Sequence, residues 1–535
     1  MTVARNVAEI LAEHTTLEVE CIDRMYVNLY IPILQREAGI AHFWQAHRGH
    51  RFASGTQMGP MGRAFISSIE QFADREGIPL IKFKAGQRKD DIAKKYLEAF
   101  RAKEGVFLIG KAQEKTRVVR TEKRRNPRTG QTYPWLVFST AMVNHYYFYC
   151  VDHDFGPFFI KLGSYFPYNG KLLINGHEYA KRQLEQRGIR YEALDNGIRS
   201  CKHPQRLQRI CDGLSAKKID DLLRKWLRRL PHPFTGEDRR AGYRYAASIL
   251  QAEFSLTQVL DRPATGRVFF EQVIRDNLDL GRPDRVQLIF DRRVTRQTPG
   301  QFRTRVITHG VIPSLHIDYK HTRIKQYHKE GQALRTETII NDAYDFEIGR
   351  RLTNLPTLRE VGFQANRRLL CVQRISHDCT LGEEAFSSVQ CPTIVQGQRA
   401  AGLRFGDPRV LALLASLLLF RLLPRGFSNR DLRQYVEQLL GVDSGQFTQG
   451  QMTYDLRRLR LRSLIERIPN SHRYHVTDSG FRTALFLTRA YARLLRPGLA
   501  IALDDAPPSP TTLQAAIEHV DRAVDRIWKQ QRIAA

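Results

Sequence analysis

The sequence predicts an α+β chain of several domains: a mixed α/β basic body, then a smaller C-terminal module, then a terminal amphipathic helix. Its 535 residues are enough for more than one core. Its texture alternates between helix-period and strand-period blocks. Its content, 42% hydrophobic and 10% aromatic, is that of a folded protein. Charge adds a functional bound, because 84 Lys+Arg face 55 Asp+Glu, a formal net +29. Such a surface attracts polyphosphate of any sequence through counterion release, so nucleic acid is the expected partner. No basic amphipathic helix or lipidation motif points to a membrane. Seven cysteines are scattered without a CxxC pair, which argues against a disulfide framework and for a cytoplasmic location. The opening "MTVARNVAEILAEH" carries acidic residues and lacks an apolar run, so no secretory leader is expected.

Residues 1–104 are expected to be mainly helical. "GRAFISSIEQFADREGIPLIKFK" reads as a helix closed by Gly77 and Pro79, followed by a strand. Residues 105–214 form an α/β region with strands at Val106–Ala112, Trp135–Asp152 and Phe158–Tyr168, then a helix stopped by Gly188. Inside it, residues 111–135 make a basic loop around an Asn-Pro turn. Lys115, Arg117, Arg120, Lys123, Arg124, Arg125 and Arg128 crowd there, with Tyr133 and Trp135 at the edge. A dense like-charge run repels itself unless an anion neutralises it, so this arm is expected to grip a phosphate backbone and stack a base.

Residues 215–262 return to helix, with "AKKIDDLLRKWLRRLPHPF" amphipathic and ended by its prolines. Residues 263–400 mix strands and helices, and the hairpin at 321–341 turns at Glu330-Gly331 between two period-2 runs. Residues 503–511 are a Pro-rich linker. The last helix, 512–535, spaces Leu513, Ile517, Val520, Val524 and Ile527 like heptads, for packing on its own chain or pairing with a copy of itself as a homodimer. No sequence repeat is evident.

Residues 405–498 carry the most specific order of elements. An apolar helix, Val410–Leu423, precedes a helix capped by Ser428 and Gly441. A third helix follows, Phe447–Ser463, with Met452, Leu456 and Leu459 on one face and Arg457, Arg458, Arg460 and Arg462 flanking it. "SLIERI", the turn "PNSH", "RYHVT" and a helix from "TDSG" complete the series. This order resembles the winged helix-turn-helix fold of the MarR/ArsR-like type, with Ser463 standing where the family commonly has glycine. The resemblance implies that Thr448–Ser463, including Thr453, is a recognition helix for a major groove. It also implies that a wing with Asn470, His472 and Arg473 touches phosphate.

Two constellations raise chemistry. Asp152 and Asp154 stand i,i+2 at a strand end, Glu178 opens a nearby helix after His177, and Glu114 lies in a neighbouring strand. Converging carboxylates hold Mg²⁺ or Mn²⁺ for phosphodiester cleavage, so Asp152, Asp154 and Glu178 are candidate metal ligands and, with Glu114, candidate catalytic residues. The duller alternative has Asp154 starting a turn and Glu178 pairing with Lys181 or Arg182. In the hairpin, Tyr327, Lys329, Leu334, Arg335 and Glu337 form a pattern that resembles phage-type rolling-circle replication initiators. That resemblance implies a tyrosine nucleophile, Tyr319 or Tyr327, beside a metal held by histidines such as His316, His321 and His328. "LHIDYKH" departs from it by offering His-x-Asp in place of a His-hydrophobe-His pair.

Three functions are therefore expected in competition. The first is a DNA-binding protein in a DNA-processing, mobile-element or regulatory role. The second is a metal-dependent nuclease or replication-initiator enzyme. The third is an RNA-binding protein that uses RNA as scaffold or guide.

Overall fold

In the computed structural model the described residues are 7–262 except 85, 301–375 except 310, 311 and 331, and 389–491 except 444. The linker 503–511, the helix 512–535 and the homodimer expected from it lie outside them. The chain opens with α1 (Val7–His14) and β1 (Thr15–Tyr30), then α2 (Glu37–His42), α3 (Gly55–Glu76), β2 (Leu80–Lys82) and α4 (Lys89–Ala99). A meander follows: β3 (Gly105–Arg125), β4 (Thr132–Asp152), β5 (Gly156–Gly163) and β6 (Gly170–Asn175). Next come α5 (Gly176–Gln186), β7 (Tyr191–Leu194), β8 (Gly197–Cys201), α6 (Pro204–Asp212), α7 (Ala216–Arg229) and α8 (Gly236–Arg240). Strand β9 (Ala246–Leu260) precedes a second meander, β10 (Gln301–His309), β11 (Ile312–Lys320), β12 (Thr322–Lys329) and β13 (Ala333–Ile340). Helix α9 (Leu355–Ile375) closes the body.

One sheet of eleven strands runs through all of this, in the order β10-β11-β12-β13-β9-β1-β6-β5-β4-β3-β2. Its centre is the antiparallel pair β1–β9. Read outward from that pair, each half has a long inner strand, then an antiparallel meander whose last strand folds back beside it, and the β1 half adds β2 as a parallel edge strand. The body thus repeats in topology although no repeat shows in its residues.

Two expectations are corrected and one is qualified. The described part of region 1–104 is mainly helical, as expected, but it also supplies the sixteen-residue strand β1 at the centre of the sheet. The segment 215–262 is helical only through α8 and ends in β9. The divisions at 104, 214 and 262 do not separate bodies, because the central strands from each side share one sheet and one apolar core. β9 is nearly continuously buried from Phe254 to Leu260, which erases the in–out alternation that marks a strand in sequence.

The seam between the halves is ionic. Arg335 on β13 is fully buried, with Nη2 2.8 Å from Asp23 Oδ2 on β1 and Nε 2.9 Å from Glu337 Oε1. Its Nη2 also lies 2.5 Å from His177 Nε2, and its Nη1 donates to the Asn196 carbonyl in the β7–β8 turn. Asn196 Nδ2 donates to Asp23 Oδ1 at 2.6 Å, and Tyr327 OH to Glu337 Oε1 at 2.7 Å. Burial alone would raise Asp23, yet Arg335 and His177 draw it down to about 2. Glu337 moves the other way, pushed up by burial and by the Asp23 charge.

After the short hairpin β14 (Thr393–Val395) and β15 (Gln398–Ala400) come α10 (Pro408–Phe420), β16 (Phe427–Ser428), α11 (Asn429–Leu440) and α12 (Gln449–Leu461). β17 (Ile465–Arg467), β18 (Arg473–Val476) and α13 (Asp478–Ala490) complete the described chain, and the small sheet has the order β16-β18-β17. Ser428 and Thr448 form capping boxes, Gly441 takes the left-handed C-cap at φ 67°, and Ser463 accepts φ 56° after α12. This module seats on the body through Lys320–Asp431 at 2.7 Å and Arg473–Glu347 at 2.7 Å. Among the described residues no helix is long and apolar enough to cross a membrane.

Removing one member of the buried seam should strand a charge. Asp23→Asn is expected to lower unfolding free energy by about 3 kcal/mol in urea titration. Arg335→Met should cost less in an Asp23→Asn background than alone, because the carboxylate it would abandon is already neutral.

Candidate nucleic-acid interface

The basic stretch 111–135 is no loop. β3 and β4 pair without break from Leu108↔Tyr149 to Arg125↔Thr132, and only the Asn126–Gln131 turn caps them. β5 accompanies β4 only along His145–Asp152, and β2 touches β3 only at Ile109–Lys111. Beyond these neighbours the pair continues as a two-stranded ribbon. The start of α3 supports it as far as Thr121, whose Oγ1 accepts from the Gly55 amide at 3.1 Å, over the buried Val118, Val119 and Leu136. The pairs from Glu122↔Trp135 to Arg125↔Thr132 project past that support.

Lys115, Arg117, Arg120, Lys123, Arg124, Arg125 and Arg128 are all exposed. None of the seven makes an ion pair among the described residues; Arg125 Nε merely donates to the Gly130 carbonyl at 2.9 Å. Cross-strand diagonals put rings beside two of them. The Arg124 guanidinium lies 4.6 Å from the ring centre of Trp135, itself 42% exposed, and Arg117 lies 3.6 Å from that of Phe138. Tyr133 packs edge-on to Trp135 at 6.3 Å.

In the C-terminal module the arginines divide by face. Met452, Leu456 and Leu459 of α12 are buried, and Asp455 with them. Asp455 Oδ2 accepts from Arg409 Nε and Nη2 at 3.0 and 2.5 Å, and Oδ1 from Arg458 Nη1 at 3.3 Å, which fixes the roll of α12 against α10. Arg457 and Arg460 are exposed and make no ion pair among the described residues. Tyr454, 47% exposed, stands one turn before Arg457 and Arg458. Thr453 is exposed, with its hydroxyl donating to the Gln449 carbonyl at 2.8 Å and accepting from Asn429 at 3.0 Å.

Three predicted contact residues have other work. Arg458 donates to the carbonyls of Ala401 and Gly402, and Arg462 to those of Val389 (3.2 Å) and Cys391 (2.6 Å). Their i,i+4 spacing turns both toward the 389–402 segment, which they tie down. Arg473 donates to the Arg425 and Gly426 carbonyls at 2.8 and 2.9 Å and pairs with Glu347. The exposed wing tip keeps Asn470, at φ 55°, and His472, beside Arg467.

The carboxylates expected to share a cation do not meet. Asp152 is buried, with Oδ1 accepting from the amides of Asp154 (2.9 Å) and Phe155 (3.2 Å). Its Oδ2 accepts from Lys225 Nζ (2.7 Å) and Trp226 Nε1 (2.8 Å), so its oxygens are already occupied by donors. Asp154 turns outward to His153 at 2.9 Å, and that contact lowers it. Glu178 pairs with Lys181 at 2.9 Å, the duller alternative. Glu114 sits opposite Val143, roughly 30 Å along the strand from Asp152 at ~3.3 Å per residue. It holds Lys89 at 2.7 Å together with Lys161 and Tyr147. His177 belongs to the Arg335 seam. Among the described residues no group of three or more His, Cys, Asp or Glu is arranged to hold a metal ion. The donor set is therefore wrong for Mg²⁺ or Mn²⁺.

The hairpin residues are likewise structural. Tyr327 donates to Glu337 within the seam, and burial raises it far above the ordinary tyrosine value. His321 pairs with Asp345 at 3.0 Å, at the opposite end of β12 from His328, so the histidines do not converge. Comparison with protein families, with curated proteins and with solved structures finds no match for this chain.

Sequence reasoning missed Tyr454, Phe138 and the Arg409–Asp455 pair. The first two follow from spacing, one turn from Arg457 on α12 and diagonal to Arg117 on the ribbon. The pair needed the packing of α10 on α12.

Although burial works to raise Glu114, Lys161, Lys89 and Tyr147 hold it well below its ordinary 4.5. Its stabilisation is thus complete above pH 4.5 and lost as pH falls below that. Glu114→Gln is expected to lower stability at pH 7 by about 2–3 kcal/mol, and the deficit relative to wild type should shrink below pH 4.5. A metal-site carboxylate would show the reverse, gaining stability when like charge is removed.

Proposed function

We propose that the protein binds double-stranded nucleic acid, DNA foremost, laying α12 in the major groove while the β3–β4 ribbon holds the backbone. Its role would be in DNA processing, mobile-element biology or regulation. The order α10, β16, α11, α12, β17, β18, α13 supports a winged helix-turn-helix, with α12 as reading helix and the 468–472 turn as wing. One observation carries the reading: the exposed cations on α12 and the ribbon have no carboxylate partners among the described residues, while Arg409, Arg458, Arg462 and Arg473 of the same module are held by internal carboxylates and carbonyls. Unpaired guanidinium groups along a helix and a ribbon match a rail of phosphates, and the ribbon is a shape that grooves admit. Arg457 and Arg460 would set register on the backbone, with Thr453 and Tyr454 nearer the base edges. A second reading, single-stranded RNA on the ribbon, has the exposed Trp135 backed by Arg124 in its favour.

Fluorescence anisotropy with labelled duplex DNA, duplex RNA and single-stranded RNA separates these readings. Arg457→Glu with Arg460→Glu should weaken duplex DNA about 100-fold, given roughly 1.5 kcal/mol per charge-assisted contact. Unchanged duplex affinity in that variant would remove α12 from the interface. Replacing Arg124, Arg125 and Arg128 by Ser should weaken every duplex by a similar factor, since backbone contacts carry no sequence information. A loss confined to single-stranded RNA would instead favour the second reading.

A further inference from the structure

A second concentration of arginine lies apart from the ribbon and α12 in the sequence, and it is concave. Asp220, Leu223, Arg224, Leu227 and Arg228 share one face of α7. With Arg239 and Arg240 of α8, and with Arg244 and Tyr245 beyond it, they line a cavity of about 470 Å³. Five guanidinium groups thus surround one carboxylate, and Asp220 is already engaged by Arg224 Nε at 2.6 Å. Arg228 and Arg240 make no ion pair or side-chain hydrogen bond among the described residues, and both are exposed at the rim. Arg244 Nε donates to the Arg239 carbonyl at 2.7 Å, which braces it against α8.

Aromatic and apolar groups share the lining with the charge. Tyr245 is anchored by its hydroxyl, which donates to the Tyr168 carbonyl at 2.6 Å, and its ring meets His232 edge-on at 5.4 Å. His232, drawn down to about 4 by burial and by Arg239, stays neutral and adds a ring without adding charge. Leu223 and Leu227 add apolar surface between the arginines of α7.

We propose that this cavity binds the polyphosphate chain of a nucleoside triphosphate, with the arginines on the phosphates and Tyr245 beside the base. Guanidinium forks match phosphate oxygens two at a time, and five of them in one recess repel each other until an anion enters. The volume is that of a small-ligand site, which a duplex does not enter. The site does not depend on the nucleic-acid reading of α12 and the ribbon.

The test uses the full chain in calorimetric titrations at fixed ionic strength, with ATP, inorganic tripolyphosphate and adenosine as probes. ATP and tripolyphosphate should each saturate one site, and adenosine alone should not bind. Arg228→Ser with Arg240→Ser, both at solvent-exposed positions, should weaken the two phosphate probes about tenfold per arginine. Arg124→Ser with Arg125→Ser in the ribbon should leave them unchanged. Both probes should raise the melting temperature of the wild type and not of the cavity variant. The proposal is overturned if neither probe saturates a site, or if ribbon and cavity variants lose affinity equally, as indiscriminate polyanion attraction requires.

Discussion

A guanidinium group sealed from water is tolerated only where carboxylates and carbonyls take up its protons, and Arg335 is sealed completely. Its partners come from β1, β13, the start of α5 and the β7–β8 turn. Those elements span both halves of the eleven-stranded sheet, so satisfying one buried charge forces the halves into a single register. The Asp23–Arg335–Glu337 alignment is consequently a constraint on everything outward of it. The first meander ends in the ribbon on one side, and the second leads through β11 and Lys320 to the seat of the C-terminal module. The sheet works as a beam, with a basic ribbon projecting from one half and a basic helix borne near the other.

The arginines of this chain do two kinds of work, and their partners tell them apart. Arg335, Arg409, Arg458, Arg462 and Arg473 are spent internally on carboxylates and backbone carbonyls. Those on the ribbon, on the outer face of α12 and at the rim of the α7–α8 cavity are exposed and lack carboxylate partners among the described residues, Arg224 excepted. A net charge of +29 is therefore not spread as a uniform coat. Part of it is borne on an extended ribbon, a helix flank and a recess, and each geometry suits a different presentation of phosphate.

Much of the C-terminal module was legible, because its signals are local. Ser428, Thr448 and Gly441 are caps set by nearby backbone, and "RYHVT" alternates polar and apolar residues as a strand does. The ribbon was half legible: its charge was plain, but a run of polar, basic residues hides β pairing, since both faces of a projecting ribbon meet water. The body was least legible. β1 and β9 are central strands whose partners lie far away in sequence, and the topological repeat resides in strand order, which no residue pattern displays. The carboxylate constellation failed for a related reason. Spacing shows which side chains leave one face of a strand, but the lysines that neutralise Asp152 and Glu114 arrive from Lys225, Lys89 and Lys161, on other elements. Function-like patterns of acids are easily imitated by ordinary charge compensation.

The central claim is that exposed, internally unpaired cations on the ribbon and α12 exist to neutralise phosphates. The dependence of duplex affinity on salt measures this directly, since each neutralised phosphate adds about −0.9 to the slope of log affinity against log salt concentration. The account predicts a slope of roughly −6 or steeper for the intact protein, with contributions from both elements. A slope near zero, or one identical after the ribbon and α12 arginines are replaced by serine, would contradict it.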